Sequence, residues 1–231
     1  MNTRLKVLGV MVAVIGLAFL AGGGFAVYKT NQGAHALQAF SAAQNVTLTY
    51  NADGQLADSA GKTEEATAIM ALLTNDWGYS VDKSELNPND PLVNTASEYM
   101  YQMATITYHT LHASTTVVLD KDATAADGKV YPAGSYTFQN DGRYWTGFDR
   151  TNPIEAAARG QIWTATAIGL VGELGVGSVT ASALQLGLGM AAILAGIGFM
   201  FLLTGLGMVW VARAGTEKVK APVLRPATTL A

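Results

Sequence analysis

The chain has 231 residues, half of them hydrophobic, with 13% charged residues and a net charge of −3; an ordinary soluble domain carries about 25% charged residues. Cysteine is absent, which excludes disulfides, thiolate metal sites and cysteine nucleophiles. The charge is unevenly placed: the two ends carry Arg4, Lys6, Arg213, Lys218, Lys220 and Arg225 against Glu217, whereas residues 29–183 hold 8 basic and 16 acidic residues. Cytoplasmic flanks of membrane helices are rich in Lys and Arg, so both termini are predicted in the cytoplasm and the middle outside. No basic patch marks nucleic-acid binding.

Residues 1–6 read as a cytoplasmic tail and 7–28 as a first transmembrane helix. From 7 to 27 there is no charge in 21 residues, and at about 1.5 Å per residue this just crosses a hydrocarbon core of about 30 Å. The run exceeds the roughly 7–15 apolar residues of a signal peptide, and residues 21–26 give no clean small-x-small site before a polar mature start, so it reads as an uncleaved anchor. Gly9, Gly16 and Gly23 fall seven apart, a spacing that keeps them in one stripe.

Residues 29–185 form the predicted extracytoplasmic domain. The polar-and-small stretch 29–44 suggests a helical stalk. Residues 46–50 alternate and precede Asn-Ala-Asp-Gly, a strand followed by a turn. Thr63, followed by Glu64 and Glu65, is expected to cap a short helix to about residue 74, and 75–94 is a loop. Thr95-Ala-Ser-Glu98 is a capping box opening a helix to about His112. Residues 115–119 are β-branched and predict a strand. Asp127-Gly128 and Pro132-Ala-Gly134 punctuate a small antiparallel unit with strands at 135–139 and 143–148. Asn152-Pro-Ile-Glu155 is a second capping box with proline at the first helical position, and its helix is expected to pass Trp163 toward Leu174. The apolar stretch 161–184 contains Glu173, and a third span there would put the basic C-terminal tail outside; a packed or interfacial helix leading into the last span is preferred.

The second transmembrane helix is read at 186–211, where 26 residues lack charge before Arg213; Trp210 lies near its inner boundary. Residues 212–231 are a basic cytoplasmic tail. Gly187, Gly198 and Gly205 share one face at 100° per residue, and Gly189, Gly196 and Gly207 lie roughly opposite. Bare backbone lets helices approach closely in lipid, so two faces predict two neighbours: the first span, and either a second copy or another membrane protein. The fold class expected is a membrane protein with two transmembrane helices flanking a small, mainly helical α+β extracytoplasmic domain.

Chemistry-bearing residues are few. His109 and His112 lie three apart on the helix predicted from Thr95 and can share a face; with a carboxylate they would match the facial triad of non-haem iron sites. No carboxylate is nearby in sequence: Glu98 is about 16 Å away along the axis, and Asp120 or Glu173 would need tertiary structure to reach. Tyr99, Tyr101 and Tyr108 with Met100 and Met103 read as core. Residues 143–150 concentrate Arg143, Tyr144, Trp145, Phe148 and Arg150, types enriched where proteins bind partners, and form a candidate contact surface. Phosphate-binding loops, nucleophile elbows and zinc spacings are absent.

The strings Ser97-Glu-Tyr-Met-Tyr-Gln-Met-Ala-Thr-Ile-Thr-Tyr-His-Thr-Leu-His112, Gly142-Arg-Tyr-Trp-Thr-Gly-Phe-Asp-Arg150, Gly172-Glu-Leu-Gly-Val-Gly177 and Ser182-Ala-Leu-Gln185 resemble a family of uncharacterised two-span membrane proteins of actinobacteria. Its members often carry the label aromatic ring-opening dioxygenase. That label implies iron held by two histidines and a carboxylate, for which this chain offers His109 and His112. The leading expectation is a non-enzymatic plasma-membrane protein without a cofactor, presenting its outer domain to another membrane protein or a second copy of itself. The alternative is an exported metal-dependent dioxygenase-like enzyme using iron at His109 and His112. A transporter ranks third, since neither span contains an ionisable residue.

Overall fold

The structure is a computed structural model that describes residues 2–58 and 61–217. Two long helices, α1 (Asn2–Gln44) and α5 (Ala165–Glu217), enclose in sequence a small α+β region. That region contains β1 (Thr49–Tyr50), β2 (Leu56–Ala57), α2 (Thr63–Ala71), α3 (Ala96–Leu111), β3 (Ser114–Leu119), β4 (Ala123–Thr124), β5 (Val130–Tyr131), β6 (Gly134–Gln139) and α4 (Pro153–Ile162). The chain divides into two compact units, residues 2–34 with 184–217, and residues 35–183. Most of the predicted C-terminal tail, including Lys218, Lys220 and Arg225, lies outside the described residues.

In the first unit the two helices run antiparallel. A methyl group built on Gly9 would lie 2.7 Å from the carbonyl oxygen of Gly205, one on Gly16 2.7 Å from that of Gly198, and one on Gly23 3.1 Å from that of Ala191. Each step of seven residues up one helix is matched by seven down the other, and the three carbonyls approached belong to glycine or alanine. Heptad spacing keeps such a seam in register between two helices. Phe19 and Phe201 pack beside it with ring centroids 6.0 Å apart. Both helices are long and apolar enough to cross a membrane, yet only 11% of the most apolar window of each is buried. The helix of a soluble core buries most of such a surface. Here Phe25, Leu186, Phe199, Met200 and Trp210 are more than half exposed.

The second unit has two apolar clusters with α3 between them. Leu48, Ile69, Leu73, Val93, Tyr99 and Tyr101 belong to the first; Leu72, Leu111, Val117, Phe148, Ile154 and Trp163 belong to the second. Adjacent Leu72 and Leu73 feed different clusters, since successive helical side chains point about 100° apart; both sit in a π-helical turn, Leu72–Asp76, that follows α2. The Trp77 amide closes that turn by donating to the Leu72 carbonyl at 3.1 Å.

α3 starts where Thr95 and Glu98 place it. Glu98 Oε2 accepts from the amides of Thr95 (2.9 Å) and Asn94 (3.0 Å), while Thr95 Oγ1 accepts from the Glu98 amide. Burial pushes the Glu98 carboxyl above its ordinary range, against the pull of those donors. α2 departs from the sequence expectation. Its cap is Lys62, without a side-chain bond, and Thr63 is already helical; Lys62 instead pairs with Glu65 at 2.9 Å.

The sheet content also departs. β6 pairs with β3 in antiparallel register from Ser114 opposite Gln139 to Leu119 opposite Gly134, β4 pairs with β5, and β1 with β2. Residues 143–148 form no strand. Asp141 and Gly142 adopt left-handed backbone, φ 48° and 78°, which turns the chain out of β6. The helix predicted to continue to Leu174 stops at Ile162, with Trp163 as its C-cap. Thr164 then starts α5, its Oγ1 accepting from the Ala167 amide at 3.1 Å. From there α5 is continuous, so residues 165–184 and the apolar run after them are one helix.

Candidate functional site

The loop at 143–150 is shaped by side chains from α4. Trp163 Nε1 donates to the Arg143 carbonyl at 3.0 Å, and Arg159 Nε donates to the Trp145 carbonyl at 2.9 Å. The Arg159 guanidinium lies 3.2 Å from the centre of the Trp145 ring, a cation–π contact. Glu155 Oε2 accepts from the Asp149 amide at 2.8 Å. Its carboxylate therefore does not return to the amide of Asn152, and the second capping box is half made: Asn152 Oδ1 accepts from Ile154 and Glu155. At the loop's entrance, buried Asn140 donates its Nδ2 to the Thr110 carbonyl at 2.7 Å, and the Gly142 amide donates to the Leu111 carbonyl at 3.0 Å. The last carbonyls of α3 are thus capped from outside the helix.

Within this frame Phe148 is buried in the second cluster, 5.8 Å from the Phe138 ring, whereas Tyr144 is exposed and stacks on Trp163 at 5.9 Å. Arg143 lies over Phe138. Arg150 is exposed. Of the five residues read as a contact surface, Phe148 belongs to the core, and the others remain at least partly accessible. Trp77 Nε1 donates to the Tyr144 hydroxyl at 3.0 Å. That bond makes the two rings the shared wall of two clefts, of about 690 Å³ and 650 Å³.

The histidines have separate partners. His109 Nε2 lies 2.8 Å from Asp58 Oδ2; the imidazole is 47% exposed and the carboxylate 6%. His112 Nδ1 lies 2.8 Å from the Tyr108 carbonyl. A carbonyl only accepts, so Nδ1 carries the proton and Nε2 of the neutral ring is an acceptor. Both rings lie against Tyr108, with centroids 5.7 Å and 4.2 Å away, but their polar partners differ, and the described residues bring no group of three His, Asp or Glu together. Asp58, which directly follows β2, was not legible as a partner of His109; it is reached through the packing of β2 on α2 and of α2 on α3.

Beside this pair lie two phenols with no hydrogen-bond partner among the described residues, those of Tyr50 and Tyr101. Burial pushes the Tyr101 hydroxyl up, and the charges of Asp58 and Tyr50 push it further. Tyr50 is raised by burial and by Glu98.

The glycines divide by face. Gly187 meets the Thr30 side chain, with 2.7 Å between a built methyl and Thr30 Oγ1; Gly198 and Gly205 meet the backbone of α1. Methyls on Gly189, Gly196 and Gly207 would meet nothing within 4 Å beyond their own helical backbone, among the described residues. The chain matches no protein-family model, no curated protein and no solved structure.

Proposed function

We propose that this chain is a non-enzymatic integral membrane protein. α1 and α5 each cross the plasma membrane, both termini lie in the cytoplasm, and the domain at 29–185 is held outside for contact with another membrane protein or a second copy. The observation that carries this reading is the glycine-lined pair of helices. Its seam is closed at backbone distance while its exterior is almost wholly apolar. Water would penalise that exterior by roughly 25 cal/mol per Å²; lipid would not. The orientation follows from the basic flanks. The open face at Gly189, Gly196 and Gly207 is where a further helix would dock without steric obstruction.

Labelling tests this reading directly, because the native chain lacks cysteine. A cysteine replacing Ser84 should react with an impermeant maleimide on intact cells, and one replacing Thr228 should react only after lysis. Labelling of both on intact cells, or the reverse pattern, contradicts the topology. Isolation in mild detergent should recover a second copy or a defined membrane partner, and Gly196→Leu should release it.

A further inference from the structure

We propose that the 690 Å³ cleft beside the Trp77–Tyr144 wall binds the head group of an organic cation, a substituted ammonium. Its lining brings together Trp77, Tyr108 and Tyr144 with Asp76 and His112, and contains no lysine or arginine. The faces of indole and phenol rings carry negative charge and attract cations within about 6 Å. Tyr144 has one face on Trp163 and stays 44% exposed, with part of its surface lining the cleft. Tyr108 is partly covered by His112, whose ring centroid lies 4.2 Å away.

The polar groups point the same way. The Asp76 carboxylate is exposed at the rim and makes no hydrogen bond or ion pair among the described residues. His112 spends its Nδ1 proton on the Tyr108 carbonyl, so Nε2 of the neutral ring offers a lone pair. One carboxylate, one imidazole acceptor and three rings suit a positive group with an apolar skin. A polyol is less well served. It needs donors as well as acceptors, and the lining's hydroxyl donors are those of Tyr108 and Tyr144. The Tyr144 oxygen already accepts from Trp77, which fixes the two rings against each other before any ligand arrives.

The test uses the full chain in a polyoxyethylene detergent, which carries neither choline nor sugar. Choline is titrated against intrinsic fluorescence, to which Trp77 in the cleft lining contributes beside three other tryptophans, and calorimetry provides a second readout. The neutral isostere 3,3-dimethylbutanol and the disaccharide cellobiose are run in parallel. Choline should saturate in the millimolar range, and the neutral isostere should bind roughly tenfold more weakly. Asp76→Asn, at an exposed position that leaves folding intact, should weaken choline roughly threefold at low salt. Tyr144→Phe keeps the ring but loses the bond that fixes it against Trp77, and should weaken choline by no more than about threefold. Equal binding of choline and its isostere would reduce the cleft to an apolar groove and overturn the proposal. So would cellobiose binding that is lost in Tyr144→Phe, or no saturation by about 50 mM choline.

Discussion

The Tyr99 hydroxyl on α3 lies 2.7 Å from Ser41 Oγ on α1, and the same tyrosine ring fills the space left by the missing side chain of Gly177 on α5. Ser41 donates its own proton to the Leu37 carbonyl at 3.0 Å, so the phenol is the donor in the shared bond. Three helices distant in sequence thus meet at one aromatic ring, inside the unit formed by residues 35–183.

Two substitutions probe that junction. Ser41→Ala leaves a buried phenol without its acceptor, a loss of about 1–3 kcal/mol. Gly177→Ala places a methyl 2.6 Å from the Tyr99 ring, and overpacking of this kind costs about 1–3 kcal/mol. Both act through Tyr99, so the double variant should lose less than the two single losses combined. Chemical denaturation of the full chain in mild detergent measures all three; strict additivity would show that the contacts are independent.

Tyr101→Phe should have the opposite sign. Its hydroxyl is buried and has no partner among the described residues, so removing it should be neutral or stabilising by up to about 1 kcal/mol at pH 7. The native state holds the Tyr101 proton more tightly than the unfolded chain does. Between about pH 10 and the raised native value the folded protein binds more protons, and stability falls as pH rises. Denaturation curves from pH 8 to 11 should show this decline in the native protein and a shallower one in Tyr101→Phe.

The two faces of α5 should respond differently to bulk. Gly198→Leu drives a side chain into the backbone of α1, where a single methyl would already lie 2.7 Å from the Leu20 nitrogen; thermal stability should fall by several degrees. Gly196→Leu meets open space within the chain and should leave stability unchanged while altering self-association or partner recovery. Equal thermal effects from both would remove the distinction between the faces.

Arg159→Met should loosen the loop at 143–150 without unfolding the domain. It removes the bond to the Trp145 carbonyl and the guanidinium over the Trp145 ring, together on the order of 1–2 kcal/mol. Limited proteolysis should cut the variant at the loop at protease concentrations that leave the native chain whole. Identical cleavage would mean that Trp163 and Glu155 hold the loop unaided.

His109→Ala should destabilise by about 1–3 kcal/mol, because it takes a close partner from a largely buried carboxylate. His112→Ala should lose less, since that ring is exposed and bonds only within its own helix. Metal analysis of gently isolated protein should find well under one iron per chain. Stoichiometric iron that vanishes in both variants would revive the dioxygenase alternative.

What was legible in the sequence follows the range of the interaction concerned. The start of α3 could be read because Thr95 and Glu98 satisfy each other three residues apart. The long apolar helices could be read because uncharged runs need no tertiary partner to be recognised. Asp58 and His109 could not be paired in advance, because nothing local ties the end of β2 to the last turns of α3. The strand expected at 143–148 failed for a related reason. Alternating aromatic residues do favour a ladder, but Asp141 and Gly142 turn the chain away, and Arg159 and Trp163 take the carbonyls a neighbouring strand would have used. The same capture by distant donors explains why Glu155 serves Asp149 rather than Asn152.

A loop whose path is held by side chains of a neighbouring helix and its cap can vary in the side chains that it displays itself. Between Arg143 and Asp149 the backbone is held by Trp163, Arg159 and Glu155 through main-chain atoms that every residue possesses. Substitutions there can therefore change the surface while the scaffold that displays it stays still.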